Sequence, residues 1–212
     1  PLAHVFLDLG FAPPSNAYLA ADDLQRPERH FPLKLWVCDA CWLVQTEDHA
    51  GAGELFTDDY AYFSSVSSGW LAHAAQYAAM VTRRLDLGPQ SLVVELASND
   101  GYLLKNFVAA GIPCLGIEPT ASTAAAAERL GIPVLREFFG TTLGRRLANQ
   151  GRQADLIVGN NVLAHVPDIN DFVGGMQALL KPGGTITLEF PHLAQLIAHT
   201  QFDTVYHEHF SY

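Results

Sequence analysis

From residue 91 onward, short continuous apolar runs alternate with stretches whose apolar positions recur at helical spacing. Ser91-Leu92-Val93-Val94-Glu95-Leu96 is apolar until it meets an acid, the pattern of a parallel strand buried on both faces. A helix is expected from about Gly101 to Ala110, then a second strand over Pro113–Glu118. The alanine-rich stretch Ser122–Leu130 is a strong helix former. A short third strand (Ile132–Leu135), a helix (Leu143–Asn149) and a fourth strand (Asp155–Gly159) follow. A helix over Asp171–Leu180, stopped by Lys181-Pro182-Gly183-Gly184, then leads into a fifth strand at Thr185–Phe190. Strands and helices alternating at this pitch predict an α/β, doubly wound, Rossmann-like sheet.

Upstream the periodicity weakens. Residues 1–50 are rich in Pro and aromatics, with strand-like pieces such as Leu33-Lys34-Leu35-Trp36-Val37 and only a small core. Residues 67–87 place Trp70, Leu71, Ala74, Ala75, Tyr77, Ala78, Val81 and Leu85 at helical spacing, with Arg83 and Arg84 near the end and Gly88-Pro89 as the break. Four segments result: a partial N-terminal lobe over 1–52, a helical connector over 53–88, a ligand-binding α/β domain over 89–191, and a last segment over 192–212. The chain reads as truncated at both ends.

Composition narrows the function classes. The 212 residues are 49% hydrophobic and 16% charged, with a formal net charge of -10 and only 12 Lys and Arg. Those basic residues are scattered, so no phosphate-tracking stripe forms and a nucleic-acid partner is not expected. No apolar run reaches the ~20 residues needed to span a bilayer, and the start lacks the basic-then-apolar pattern of an export signal. A cytoplasmic protein without a membrane partner is expected. Of three cysteines, Cys114 sits in an apolar run as a core residue. Cys38 and Cys41 form a C-x-x-C with the spacing of a zinc knuckle, although tetrahedral zinc takes four ligands; two free thiols near a surface turn are the alternative.

In doubly wound sheets a ligand sits beyond the carboxyl ends of the strands, where the strand order reverses. The first such turn here is Glu95-Leu96-Ala97-Ser98-Asn99-Asp100-Gly101. Glu118, 23 residues after Glu95, stands where an acid accepts hydrogen bonds from ribose hydroxyls. The turn lacks the G-x-G-x-x-G that holds a pyrophosphate. Glu95 adds a negative charge that favours cationic amino and sulfonium groups and repels phosphates. Both features favour S-adenosylmethionine over a nicotinamide cofactor.

Asp155-Leu156-Ile157-Val158 through Asn160-Asn161-Val162-Leu163-Ala164-His165-Val166, with Leu180-Lys181-Pro182-Gly183-Gly184, resembles the fourth and fifth strands of class I methyltransferases. More narrowly, the chain resembles the sugar C-methyltransferases of antibiotic deoxysugar biosynthesis. The blocks carrying that likeness are Leu9-Gly10 to Asn16-Ala17, the Cys38–Cys41 pair, Tyr60-Ala61-Tyr62-Phe63-Ser64-Ser65, Glu95 to Leu103, and Tyr206-His207-Glu208-His209-Phe210-Ser211-Tyr212.

The resemblance implies a methyl group placed beside the ketone of a nucleotide-linked (dTDP) 4-keto-deoxysugar by a monomeric enzyme. It implies His209 as general base, with Tyr206, Glu208, Tyr60 and His165 around it and His207 pointing elsewhere. A histidine suits that task because its ordinary pKa lies near working pH. Spacing alone does not choose between Tyr60 and Tyr62, which alternate onto one side. The donor site implied by the turn and the resemblance comprises Glu95, Ala97, Ser98, Asn99, Gly101, Tyr102, Leu103, Glu118, Pro119, Asn160 and Asn161. The resemblance also implies a structural zinc on four thiolates, of which this chain carries Cys38 and Cys41, and a further α/β lobe beyond residue 212. An O- or N-methyltransferase of a small metabolite, or a binding module without activity, are the alternatives.

Overall fold

A computed structural model describes residues 2–49, 55–56 and 61–212. The chain forms two compact units, one comprising Pro1–Thr57, Asn161–Pro167 and Glu189–Tyr212, the other Asp58–Asn160 and Asp168–Leu188. Among the described residues no helix is long and apolar enough to cross a membrane.

The second unit carries the alternating pattern. Its strands are β4 (Val93–Leu96), β5 (Cys114–Ile117), β6 (Val134–Leu135), β7 (Ala154–Asn160) and β8 (Leu180–Glu189), laid side by side in the order β6-β5-β4-β7-β8. β4 pairs in parallel with both β5 and β7, and β5 with β6. The chain therefore runs outward from β4 on one side, returns, and runs outward on the other. That reversal beside β4 is the place where doubly wound sheets bind ligands. Val93, Val94 and Leu96 are fully buried, which is why β4 reads as an unbroken apolar run.

Helix α1 (Ser68–Leu85) starts at Ser67, whose side chain accepts from the Trp70 N–H at 3.2 Å. It stops at Asp86, which takes a left-handed φ of 51°, so the chain leaves the helix two residues before Gly88-Pro89. Ala74, Ala78 and Val81 of α1 pack into one core with Val93, Leu104, Phe107, Ile112, Leu156 and Val158. The remaining helices are α2 (Leu104–Ala109), α3 (Ala121–Arg129), α4 (Thr141–Asn149) and α5 (Ile169–Leu179). The last of these is capped by Asp168, which accepts from Asn170 N–H and Asp171 N–H.

One boundary differs from expectation. Lys181-Pro182-Gly183-Gly184 does not form a separate stop, because β8 begins at Leu180 directly after α5. Lys181 Nζ lies 2.7 Å from Asp155 Oδ2, and Gln153 Nε2 donates to the Leu180 carbonyl at 3.2 Å. These bonds hold the Pro-Gly-Gly stretch extended beside the start of β7.

The first unit holds a three-stranded antiparallel sheet, β1 (Leu2–Ala12), β2 (Phe31–Cys38) and β3 (Val44–Thr46), in that order. Only Leu33, Leu35, Cys38 and Val44 of these strands are buried apolar residues, which matches the small core expected. The eleven-residue β1 was not legible in the sequence. Its apolar Val5, Phe6, Leu9 and Phe11 are exposed and its register against β2 is broken in three places, so no clean alternation marks it. A short helix α6 (Leu193–Ala198) follows β8.

Gly101 shows how the turn after β4 depends on a missing side chain. It takes φ 81°, and a Cβ there would collide with Ile132 Cδ1 and lie 3.1 Å from Ala127 Cβ. Gly101→Ala adds a left-handed penalty to that overlap. It is expected to lower stability by about 2–4 kcal/mol, read by urea unfolding; a loss under half of that would contradict this packing.

Candidate functional site

The second unit builds a tightly braced turn after β4. Ala97 and Asn99 take left-handed φ values of 54° and 49°, with Gly101 at 81°. A non-glycine residue in that region costs about 1–2 kcal/mol, so bonds elsewhere hold the turn. Glu118, buried at the end of β5, is the main brace. Its Oε2 accepts from the Asn99 N–H at 2.9 Å, and its Oε1 accepts from the Thr120 N–H at 2.9 Å and the Thr120 hydroxyl at 2.6 Å. The Ser98 N–H donates to the Ile117 carbonyl at 3.1 Å. Beneath the turn, Gly116 is pressed against Ser98, and any Cβ there would strike its side chain.

Asn99 turns its side chain away from the turn's own backbone. Its Oδ1 accepts from the Ser64 N–H at 2.9 Å and its Nδ2 donates to the Tyr62 carbonyl at 3.0 Å. Asp100 Oδ2 accepts from the Ser65 N–H at 3.0 Å. The segment carrying Tyr62-Phe63-Ser64-Ser65 is thereby tied to the turn, a connection that no local sequence signal announces. Tyr60 lies outside the described residues.

Glu95 behaves differently from Glu118. It is 1% exposed, and neither carboxylate oxygen makes a full hydrogen bond. Burial pushes its pKa well above the usual carboxylate range; the Tyr102 hydroxyl pulls the other way, while Glu118 and Asp100 add repulsion. Ser98 Oγ and Asp100 Oδ1 are likewise buried without partners. Orphaned acceptors at one strand tip fit the ammonium and hydroxyl donors of an aminoacyl-nucleoside ligand, since buried polar groups are ordinarily satisfied. Tyr102 and Leu103 lie in the hydrophobic core, 3% and 0% exposed. Pro119 is half-buried beside Glu118, and Asn160 is half-buried at the end of β7. Asn161 belongs to the first unit, where its N–H donates to the Glu189 carbonyl at 2.7 Å.

The first unit gathers the Tyr206–Tyr212 block. Ser211 bridges to Gln45 of β3. The Tyr212 N–H donates to the Val44 carbonyl at 2.9 Å, and the Thr46 N–H to the Phe210 carbonyl at 3.1 Å. On the other side the Phe210 N–H donates to the Ala164 carbonyl at 2.6 Å. Phe210 packs with Leu55, Phe31 and Phe56. The block is thus fastened on both sides by backbone bonds.

Within it, His209 has both ring nitrogens engaged. Nδ1 meets the Thr204 carbonyl at 2.9 Å and Nε2 meets the Tyr206 hydroxyl at 2.9 Å. A carbonyl can only accept, so Nδ1 carries the proton and the Nε2 lone pair accepts from Tyr206. Burial lowers the His209 pKa, with the Thr204 bond opposing. His165 lies edge-on to it, ring centroids 4.7 Å apart, and against Phe56 at 5.7 Å. Its Nδ1 is buried without a partner. Glu208 is 1% exposed and accepts from Asn16 Nδ2 at 2.6 Å and Ser15 Oγ at 3.1 Å. His207 turns instead to Phe31, its Nε2 3.2 Å from that residue's carbonyl. Thr204, Tyr212, Ser15 and Asn16 were not singled out from sequence. Of these, only the Ser-Asn step after Pro13-Pro14 stands out as a polar turn in an apolar stretch.

The cysteine pair closes the β2–β3 hairpin. Cys38 ends β2, its N–H donates to the Leu43 carbonyl at 3.0 Å, and Trp42 takes a left-handed φ of 64°. Backbone N–H groups of Ala40 and Cys41 point at the Cys38 sulfur and draw its pKa down to about 7, the condition a ligating thiolate needs. Two thiols fall two short of a tetrahedral set, and among the described residues no group of three His, Cys, Asp or Glu gathers there or elsewhere. The residues described do not complete a zinc site.

Residues 94–186, the span from β4 into β8, match the family model "Methyltransferase domain". That part of the chain is similar to methyltransferase domains. Residues 1–56 match a second model, "Putative zinc binding domain". The C-methyltransferase NovU of Streptomyces niveus is 33% identical over 206 residues, 97% of this chain and 49% of that protein. A ubiquinone biosynthesis O-methyltransferase of Rhodopseudomonas palustris is 24% identical over 153 residues, 61% of this chain and 60% of that protein. Streptomyces venezuelae DesVI overlays on 57% of this chain and 50% of its own at 21% identity, with a TM-score of 0.45. The chain therefore spans about half the length of the first curated relative.

Acid sensitivity follows from the histidine pair of the first unit. Burial first, and the neighbouring His209 second, push His165 down from 6.5 to about 3. Between those values the unfolded chain binds the proton and the folded chain does not, so stability falls as pH drops through that window. The melting temperature is expected to decline on acidification below pH 6.5, and His165→Asn to flatten the decline. An equal slope in both proteins would contradict a buried neutral His165.

Proposed function

We propose that this chain is the donor-binding and proton-abstracting part of an S-adenosylmethionine-dependent C-methyltransferase. Its acceptor would be the carbon beside the ketone of a nucleotide-linked (dTDP) 4-keto-deoxysugar. The observation that carries the reading is His209, a buried imidazole held neutral, with Nδ1 protonated toward Thr204 and Nε2 directed at a tyrosine hydroxyl. Methylation of an oxygen or nitrogen lone pair requires no base to break a C–H bond, whereas methylation of carbon beside a ketone does. The 33% identity to a protein named as a C-methyltransferase supports the same choice.

In this reading the electron pair of the acceptor's C–H bond stays on the substrate as an enolate while its proton goes to His209 Nε2. The acceptor displaces the Tyr206 hydroxyl from Nε2, and that hydroxyl then donates to the enolate oxygen. Glu208 accepts from an acceptor hydroxyl, and Tyr60 and His165 belong to the same set. The methyl group comes from adenosylmethionine, whose sulfonium makes it electrophilic. Glu95 is assigned to the donor's ammonium group and Glu118 to its ribose, alongside Ala97, Ser98, Asn99, Gly101, Tyr102, Leu103, Pro119, Asn160 and Asn161. Cys38 and Cys41 enter only as half of a structural zinc's ligands, and no step depends on them.

The pH profile of methyl transfer tests this. A neutral base with a lowered pKa predicts a rate that is flat above pH 6.5 and falls only below it. His209→Asn is expected to cost roughly 10²–10⁴ in kcat with little change in adenosylmethionine affinity. A variant that keeps most of its activity points instead to O- or N-methylation and removes His209 from the chemistry.

A further inference from the structure

Pro13 and Pro14 follow the end of β1 and restrict the backbone that presents Ser15 and Asn16. The Ala17 N–H closes that turn on the Pro14 carbonyl at 3.2 Å. The two side chains reach across 192 or more positions of sequence to the same oxygen, Glu208 Oε1, at 3.1 and 2.6 Å. Glu208 is 1% exposed, and a carboxylate so removed from water needs charge-assisted donors to hold it. It also sits inside the turn closed by the His209 N–H on the Tyr206 carbonyl at 3.0 Å. A shift of its carboxylate therefore disturbs the backbone that carries the base.

Resting on the reading above, we infer that Ser15 and Asn16 are positioning residues that aim the Glu208 carboxylate at an acceptor hydroxyl. Neither touches the reacting carbon; both act through Glu208. The Asn16 amide can donate only through Nδ2, so the bond fixes its orientation, and the serine hydroxyl adds a second donor to the same oxygen. The two donors together fix the plane of the carboxylate. A polyol acceptor, with hydroxyls at fixed angles, is the class of ligand such a preset acceptor serves.

A double-mutant cycle in the intact enzyme tests this, with a dTDP-4-keto-deoxyhexose as acceptor probe. Asn16→Ala is expected to raise the acceptor KM by roughly ten- to a hundredfold. Ser15→Ala should raise it less, and both should leave adenosylmethionine affinity within about twofold. In a Glu208→Gln background neither substitution should add a further loss, because the residue through which they act is already altered. Losses that add in that background, or an unchanged KM in Asn16→Ala, would overturn the inference. Should Asn16→Ala fail to fold by its thermal melt, Ser15→Ala carries the cycle alone. Wild-type enzyme without methyl transfer to any keto-sugar would sink the proposed function and this inference together. Active wild type with an unaffected Asn16→Ala sinks only this one.

Discussion

The bond between His209 Nδ1 and the Thr204 carbonyl, 2.9 Å long, decides what the first unit can do. It places the ring proton on Nδ1 and leaves Nε2 with a lone pair, so a structural contact sets the chemical state of the residue. Without it the ring could take either tautomer, and Tyr206 could be donor or acceptor. The ring is held by more than that bond, because the block carrying it is fastened to Val44, Thr46 and Ala164 through the main chain. His165 lies edge-on at 4.7 Å, and its pKa is lowered by burial first and by His209 second. Burial lowers the His209 pKa as well, so both rings favour the neutral form.

The second unit sets two acids in contrast. Glu118 is spent on the protein itself: one hydrogen bond reaches Asn99 in a turn containing two left-handed non-glycine residues, and two from Thr120 hold its carboxylate. Glu95, equally buried, is left without full partners. A folded protein tolerates such a deficit where a ligand later removes it, and a cationic group is the partner that an isolated carboxylate favours. The two acids sit at the ends of neighbouring strands because β4 and β5 pair in register, with Leu96 opposite Ile117.

The strand-helix alternation after residue 91 was readable because both faces of the sheet are covered, and continuous apolar runs betray strands of that kind. The turn after β4 was readable as a candidate ligand site: an acid at a strand tip, small residues, a glycine, and a second acid one strand later. The sequence could not reveal what those residues touch. Asn99 was expected at the donor, yet its side chain is committed to Tyr62 and Ser64. Ser15 and Asn16 reach Glu208 across the whole chain, and no local pattern encodes a contact at that separation. β1 escaped notice because its apolar residues face outward, and the extended Lys-Pro-Gly-Gly stretch because its anchor is a lysine pairing with Asp155.

Proton exchange in the absence of methyl donor tests the central claim most directly, since it isolates the base from every later step. A dTDP-4-keto-deoxyhexose incubated in deuterium oxide with the intact enzyme should gain deuterium at one carbon beside the ketone, and His209→Asn should gain none above the uncatalysed rate. Exchange that persists undiminished in His209→Asn would contradict the account.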